Sequence, residues 1–145
     1  MKSSYFDQCL AIAIFAHWGQ IRSCGEAYIE HCKRVAACFD DEWLRCVAVL
    51  HDVLEDTEVD LLDYLQASEI PPDKIRFIYQ SVQSLTHNKS DSYEQYIKGI
   101  PNHLLCIKIA DMFDNLTGQP TERQKIKYRK VLPDLMKRNM LTSGI

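Results

Sequence analysis

No stretch of this chain approaches the roughly 20 consecutive apolar residues that a membrane-spanning helix requires. The six cysteines, Cys9, Cys24, Cys32, Cys38, Cys46 and Cys106, contain no Cys-x-x-Cys pair, and no signal-peptide pattern precedes them. They read as reduced thiols of a cytoplasmic protein rather than as a disulfide frame. The early apolar run from Cys9 to Ala16 is short, lies behind Asp7 and leads straight into His17-Trp18-Gly19-Gln20, the pattern of a core helix and not of a leader. An excess of one charge is lacking as well: 17 basic against 20 acidic side chains leave a net charge of −3 and a pI near 5.9. Such a balance attracts neither nucleic acid nor an anionic membrane, so a phosphate-bearing ligand has to be gripped locally. Repeats, low-complexity tracts and alternating strand patterns are absent too. What remains is a single all-α domain over residues 1–145, of a size that buries one core and not two.

Helical periodicity is what the chain does carry. Phe6, Cys9, Leu10, Ala13, Ile14 and Trp18 recur at steps of three and four, which predicts an amphipathic helix from Tyr5 to about Trp18, stopping at Gly19. Gln20 to Ala27, with Gly19 and Gly25 close by, reads as a polar loop whose backbone is free to approach a ligand. A second helix starts at Tyr28, with Ile29, Cys32, Val35, Ala36 and Phe39 inward and Lys33 and Arg34 outward. Asp40-Asp41-Glu42 offers a cap and dipole-favourable carboxylates to a third, from Trp43 to about Leu54. Thr57 is placed to cap Glu58 to Gln66, whose apolar side is Leu61, Leu62 and Leu65. Helices are expected again over Lys74 to Leu85 and Ser92 to Ile100, and the polar run Thr86 to Asp91 between them is a candidate lid or substrate loop. Leu104 to Ala110 is nearly continuously apolar and fits helix or strand; a helix puts Asp111 and Asn115 four apart on one face, and is chosen for that reason. A basic C-terminal helix over 121–145 is bent or split by Pro133.

The chemistry is concentrated in the third of these helices. Val47-Ala48-Val49-Leu50-His51-Asp52-Val53-Leu54-Glu55-Asp56 is an apolar run that suddenly acquires an imidazole and three carboxylates. On a helix His51 shares a face with Glu55 and Asp52 with Asp56, whereas His51 and Asp52 diverge by roughly 100°. Both can grip one ion only if it sits beside the helix, so other helices must supply the remaining ligands. His31 before this segment and Asp111 well after it complete a mixed nitrogen and oxygen set. That set suits manganese, iron or zinc better than calcium, which takes oxygens, or a structural zinc, which usually takes sulfur. Positions left over on the ion would admit water and a phosphoryl oxygen, as hydrolysis needs, with Glu55 and Asp56 placed to orient or deprotonate that water.

The order His31, then His51-Asp52, then Asp111 resembles the HD phosphohydrolase superfamily, and Glu55-Asp56 just after the pair resembles its RelA/SpoT-type hydrolase domains. The opening Ala16-His17-Trp18-Gly19-Gln20-Ile21-Arg22-Ser23-Cys24-Gly25-Glu26-Ala27-Tyr28-Ile29-Glu30-His31 is similar to their AH-x-GQ-x-R-x-x-GEPYI-x-H pattern. Ile107-Lys108-Ile109-Ala110-Asp111-Met112-Phe113-Asp114-Asn115 is similar to their K-x-AD-x-x-x-N block, so the likeness runs from about Tyr5 to Asn115. The resemblance implies an HD-domain helical bundle that binds manganese(II), with Fe2+ or Zn2+ as alternative ions. It implies a free-standing hydrolase that removes the 3′-pyrophosphate of guanosine tetra- or pentaphosphate. On that carry-over His31, His51, Asp52 and Asp111 are metal ligands, Glu55 and Asp56 activate the water, Arg22 packs on the purine and Asn115 holds the nucleoside. The chain departs from the pattern at Ser23, where many relatives have lysine, at Ala27 and Cys32, where they have proline, and at Gly118, where a hydroxyl residue is common. None of these removes a ligand or the acidic pair. The same motifs also fit a phosphatase of another nucleotide, NADPH included, or a nucleotide-binding module without turnover.

Plainer roles attach to several neighbours. His17 reads as a structural bridge, His87 and His103 as solvated, Tyr93 and Tyr96 as packing residues, and Lys125, Lys127, Arg129 and Lys130 as a wet helix face.

Overall fold

The computed structural model describes residues 3–142. Among these, all regular structure is helical, and the only β-type pairing is an isolated antiparallel bridge between Ile21 and Ala27. Two compact units are formed, Met1–Thr86 and His87–Ile145.

The first unit is built on α3 (Glu42–Leu50), capped where the Asp41 carboxylate accepts from Leu44 N–H at 2.9 Å. Cys46, Val47, Ala48, Val49 and Leu50 are all fully buried, and each valine or leucine so placed is worth roughly 1.5–3 kcal/mol. Against α3 pack α1 (Tyr5–Ala16), through Cys9, Ile12 and Ala13, and α2 (Tyr28–Ala37), through Cys32, Val35 and Ala36. The end of α1 differs from expectation: the helix stops at Ala16, and Trp18 is 81% exposed rather than turned inward. The reason is local, since the chain leaves helical geometry at His17 and then turns through Gly19 at φ +80°. Ile14 also faces out, Ile12 taking the inner position.

The Gln20–Ala27 loop is pinned at its base, where Arg22 N–H donates to Glu26 O at 2.8 Å and Tyr28 N–H to Gln20 O at 2.9 Å. Its reversal uses Gly25 at φ +91°. Beyond α3 come α4 (Val53–Asp56), α5 (Leu61–Gln66) and α6 (Pro72–Ser84). Thr57 does not cap α5; its hydroxyl donates back to Val53 O at 2.7 Å, and Asp60 takes the cap, accepting from Asp63 N–H at 3.1 Å.

In the second unit α7 (Tyr93–Gly99) opens with a reciprocal Ser92–Gln95 capping box. A 3-10 turn, Asn102–Leu104, leads into α8 (Leu105–Thr117), so the ambiguous apolar run is helical and buries Leu105, Ile107, Asp111 and Met112. The last helix, α9 (Glu122–Thr142), contains Pro133 and buries Tyr128, Val131 and Leu135; of the helix expected to residue 145, 143–145 lie outside the described residues. Arg138 on α9 donates to Ile97 O and Ile100 O at 3.1 and 3.2 Å, satisfying carbonyls at the end of α7.

Candidate active site

The continuous helix expected from Trp43 to about Leu54 is broken where the chemistry begins. α3 ends at Leu50, His51 N–H reaches back three residues to Ala48 O at 3.3 Å, and Asp52 sits at φ −102°, ψ 0° before α4 starts at Val53. A regular helix would splay adjacent side chains apart. The break removes that splay: His51 Nε2 lies 2.9 Å from Asp52 Oδ2, and His31 Nε2, from α2, lies 3.8 Å from the same oxygen. Ligand atoms of His31, His51 and Asp52 all fall within 4.8 Å of one another, and all three residues are buried.

The tautomer of His51 follows from its other nitrogen. Nδ1 lies 2.6 Å from Ala48 O, a carbonyl that can only accept, so Nδ1 carries the hydrogen. In the neutral ring Nε2 is then an acceptor, 2.9 Å from a carboxylate oxygen. Two acceptors that close repel unless a proton or a cation lies between them, and the carbonyl-oriented imidazole is the arrangement that metal-binding histidines adopt. The donor set therefore fits a divalent ion of borderline hardness.

Asp52 also has a neutral donor. Tyr28, which sequence reasoning treated only as the start of a helix, donates its hydroxyl to Asp52 Oδ2 at 2.5 Å and lies 3.3 Å from Asp56 Oδ2. Burial, then the Asp52 charge, pushes the phenol pKa far up, so it stays a donor. The signal was present: Tyr28 is three residues before His31, on the same face of α2. Glu55 and Asp56 are exposed at the mouth, and one carboxylate oxygen from each lies within 4.8 Å of one on Asp52. Burial first, then the Asp52 and Glu55 charges, raises the Asp56 pKa to about 6. His17 is buried and bridges as expected, its Nδ1 2.7 Å from Gln20 Oε1, while Gln20 Nε2 donates to Asp56 O at 2.9 Å. Burial lowers the His17 pKa, only partly offset by Gln20.

Arg22 leaves the pinned loop with its side chain only 12% exposed and Nη1 3.0 Å from Glu26 Oε1. Arg34 holds the same carboxylate with two bonds of 2.7 Å. Arg34, then Arg22, depresses the Glu26 pKa to about 2. Neither Glu26 nor Arg34 was marked by the sequence, because a clamp eight residues wide has no helical period.

In the second unit Asp111 is buried on α8 with Lys108 Nζ 3.1 Å from its Oδ2 and Asn115 Nδ2 3.4 Å from its Oδ1. Asn115 also donates to the Tyr128 hydroxyl at 2.9 Å, so the amide is anchored rather than a bare helix end. Burial alone would lower the Lys108 pKa; the Asp111 carboxylate, joined by Tyr96, Tyr93 and Tyr128, outweighs it and holds the ammonium well above its ordinary value. Two plainer readings need correcting. His87 is half-buried and stacked on Tyr96, ring centroids 4.8 Å apart, and Lys127 lies over the Tyr93 ring at 4.4 Å rather than on a wet face. Both were invisible to local pattern because their partners lie on other elements.

No family model matches the chain. It is 29% identical over 125 residues, 79% of this chain and 69% of the relative, to the guanosine-3′,5′-bis(diphosphate) 3′-pyrophosphohydrolase MESH1 of Drosophila melanogaster. Among solved structures it is similar to a metazoan ortholog of SpoT that hydrolyses ppGpp and plays a role in starvation responses, with a TM-score of 0.70 and 28% identity over 93% of this chain and 87% of the other.

Proposed function

We propose that this chain, an all-α HD-domain protein, is a metal-dependent phosphohydrolase that converts guanosine tetra- or pentaphosphate and water to GDP or GTP and pyrophosphate. The observation that carries the chemistry is the pair of lone pairs set face to face at His51 Nε2 and Asp52 Oδ2, with His31 beside them. The likeness to ppGpp hydrolases in both sequence and structure carries the substrate.

His31, His51 and Asp52 hold the ion, and we assign Asp111 as its fourth protein ligand, on the order of these residues in the chain and the burial of its carboxylate. Manganese(II) is the ion we favour. Once bound, the ion acidifies a water and neutralises charge on a phosphoryl oxygen. Glu55 and Asp56 orient that water and take its proton; they sit at the exposed edge beside Asp52, where a solvent molecule and a phosphate can both arrive. The 3′-oxygen to phosphorus bond breaks, and the nucleotide leaves with a proton on its 3′-oxygen. Arg22 offers its guanidinium face to the purine while Glu26 holds its edge, and Asn115 holds the nucleoside. The described helices include none long and apolar enough to cross a membrane, and none of the six cysteines is in a disulfide; we place the protein in the cytoplasm.

The test is direct. Manganese-loaded protein is incubated with guanosine tetraphosphate, NADPH and a panel of nucleoside phosphates, and products are identified by mass, with His51→Ala as the control. Release of pyrophosphate and GDP is expected. Turnover of another phosphate with guanosine tetraphosphate intact would move the substrate assignment, and nucleotide binding with no product from any candidate would overturn the enzyme reading.

A further inference from the structure

Asp52 has to turn a carboxylate oxygen toward two imidazoles, and nothing in an isolated carboxylate fixes the rotation that does so. Rotation about the bond between Cβ and the carboxyl carbon is broad and roughly two-fold. In this structure a third residue decides it. The Tyr28 hydroxyl meets Asp52 Oδ2 at 2.5 Å, and Oδ2 is the oxygen that lies 2.9 Å from His51 Nε2 and 3.8 Å from His31 Nε2.

The same hydroxyl lies 3.3 Å from Asp56 Oδ2. A phenol has one proton and an ionised carboxylate only accepts, so a single hydrogen serves two acids. The short contact places it on Asp52; the long one tethers Asp56 in the same fan. The phenol itself is held in place. Its ring lies beside those of His17 and His31, centroids 5.0 and 5.5 Å away, and its backbone N–H donates to Gln20 O. Gln20 continues the lattice: its Nε2 faces the Asp56 carbonyl, which fixes Oε1 toward His17 Nδ1 and so fixes that ring as well.

We infer that Tyr28 is a positioning residue of the hydrolytic site, its hydroxyl fixing the rotation at which the Asp52 carboxylate turns an oxygen toward His31 and His51 and tethering Asp56 beside it. This rests on the proposed metal-dependent hydrolysis. It makes two predictions that separate: loss of the hydroxyl weakens the grip on the ion through Asp52, and lowers turnover through Asp56.

Manganese(II) affinity is measured by titration calorimetry on the nucleotide-free full chain for wild type, Tyr28→Phe, Tyr28→Leu and His51→Ala. Tyr28→Phe keeps the ring and is expected to bind the ion about ten-fold more weakly, within the range that partners of metal-binding residues show. Its kcat for guanosine tetraphosphate falls while KM changes little, and the fall shrinks when Asp56→Asn is already present. A purely structural ring predicts otherwise: Tyr28→Phe would match wild type in affinity and only Tyr28→Leu would suffer, which would overturn the assignment. Should Tyr28→Phe fail to fold, para-aminophenylalanine introduced at position 28 keeps the ring and a donor at the hydroxyl's place and must bind manganese more tightly than Tyr28→Leu; equality overturns it as well. The affinity readout needs no substrate, so a wild type that binds manganese but cleaves nothing sinks the proposed function and leaves Tyr28 to be judged on affinity.

Discussion

Two buried acids, one in each unit, have their charge handled in opposite ways. Asp111 has a resident cation, Lys108 at 3.1 Å, and an amide from Asn115. Asp52 has two imidazoles and a phenol hydroxyl. Both acids are proposed ligands of the ion. The contrast is in what the ion has to share each carboxylate with: an ammonium at 3.1 Å on Asp111, a phenol at 2.5 Å on Asp52.

The sharpest way to break the contrast is at Asp52. His51→Ala and Asp52→Asn are each expected to abolish manganese binding in calorimetry and pyrophosphate release together. Glu55→Gln comes next: it is expected to keep manganese and lose turnover by about 10²–10⁴-fold, the range for a positioned proton acceptor. Wild-type kcat in that variant would remove Glu55 from the mechanism. At the other acid, Lys108→Met takes away the resident cation and should cost about 3–5 kcal/mol, a drop of order 10 °C in the cation-free melting temperature. An unchanged melt would show that Asp111 is compensated some other way.

The smallest effect belongs to the exposed clamp. Arg34 and Arg22 hold the Glu26 pKa down to about 2 from an ordinary 4.5. A carboxylate whose pKa is depressed by folding contributes stability that is fully present above 4.5 and fades as pH falls toward 2. Melting temperature should therefore slide over that window, and Glu26→Gln should slide less; identical profiles would show the clamp to be idle.

The helical character of the chain was legible because apolar residues recur at helical steps, and even the ambiguous run at Leu104 resolved correctly once Asp111 and Asn115 were required to share a face. His31, His51 and Asp52 come together as their order suggested. What the pattern could not carry was the break between Leu50 and Val53. Helical spacing assigned His51 and Asp52 to different faces, whereas the chain gives up regular geometry to bring them onto one. The second failure was of a different kind. Trp18 looked like a continuation of the α1 stripe, but that stripe had already ended at a turn. Lys108, Glu26 and Arg34 were missed because their roles are pairings, and a pairing becomes visible only when both partners are placed.

The reversal at Gly25 ties these observations to a question of handedness. Beyond its two chain neighbours, no heavy atom lies within 4 Å of where a side chain would begin there, yet the backbone stands at φ +91°. The obstacle to substitution at that corner is thus chirality and not crowding. An ordinary alanine would strain the arm that carries Arg22, whereas its mirror image, introduced by chemical synthesis, would fit the corner unstrained and stiffen it.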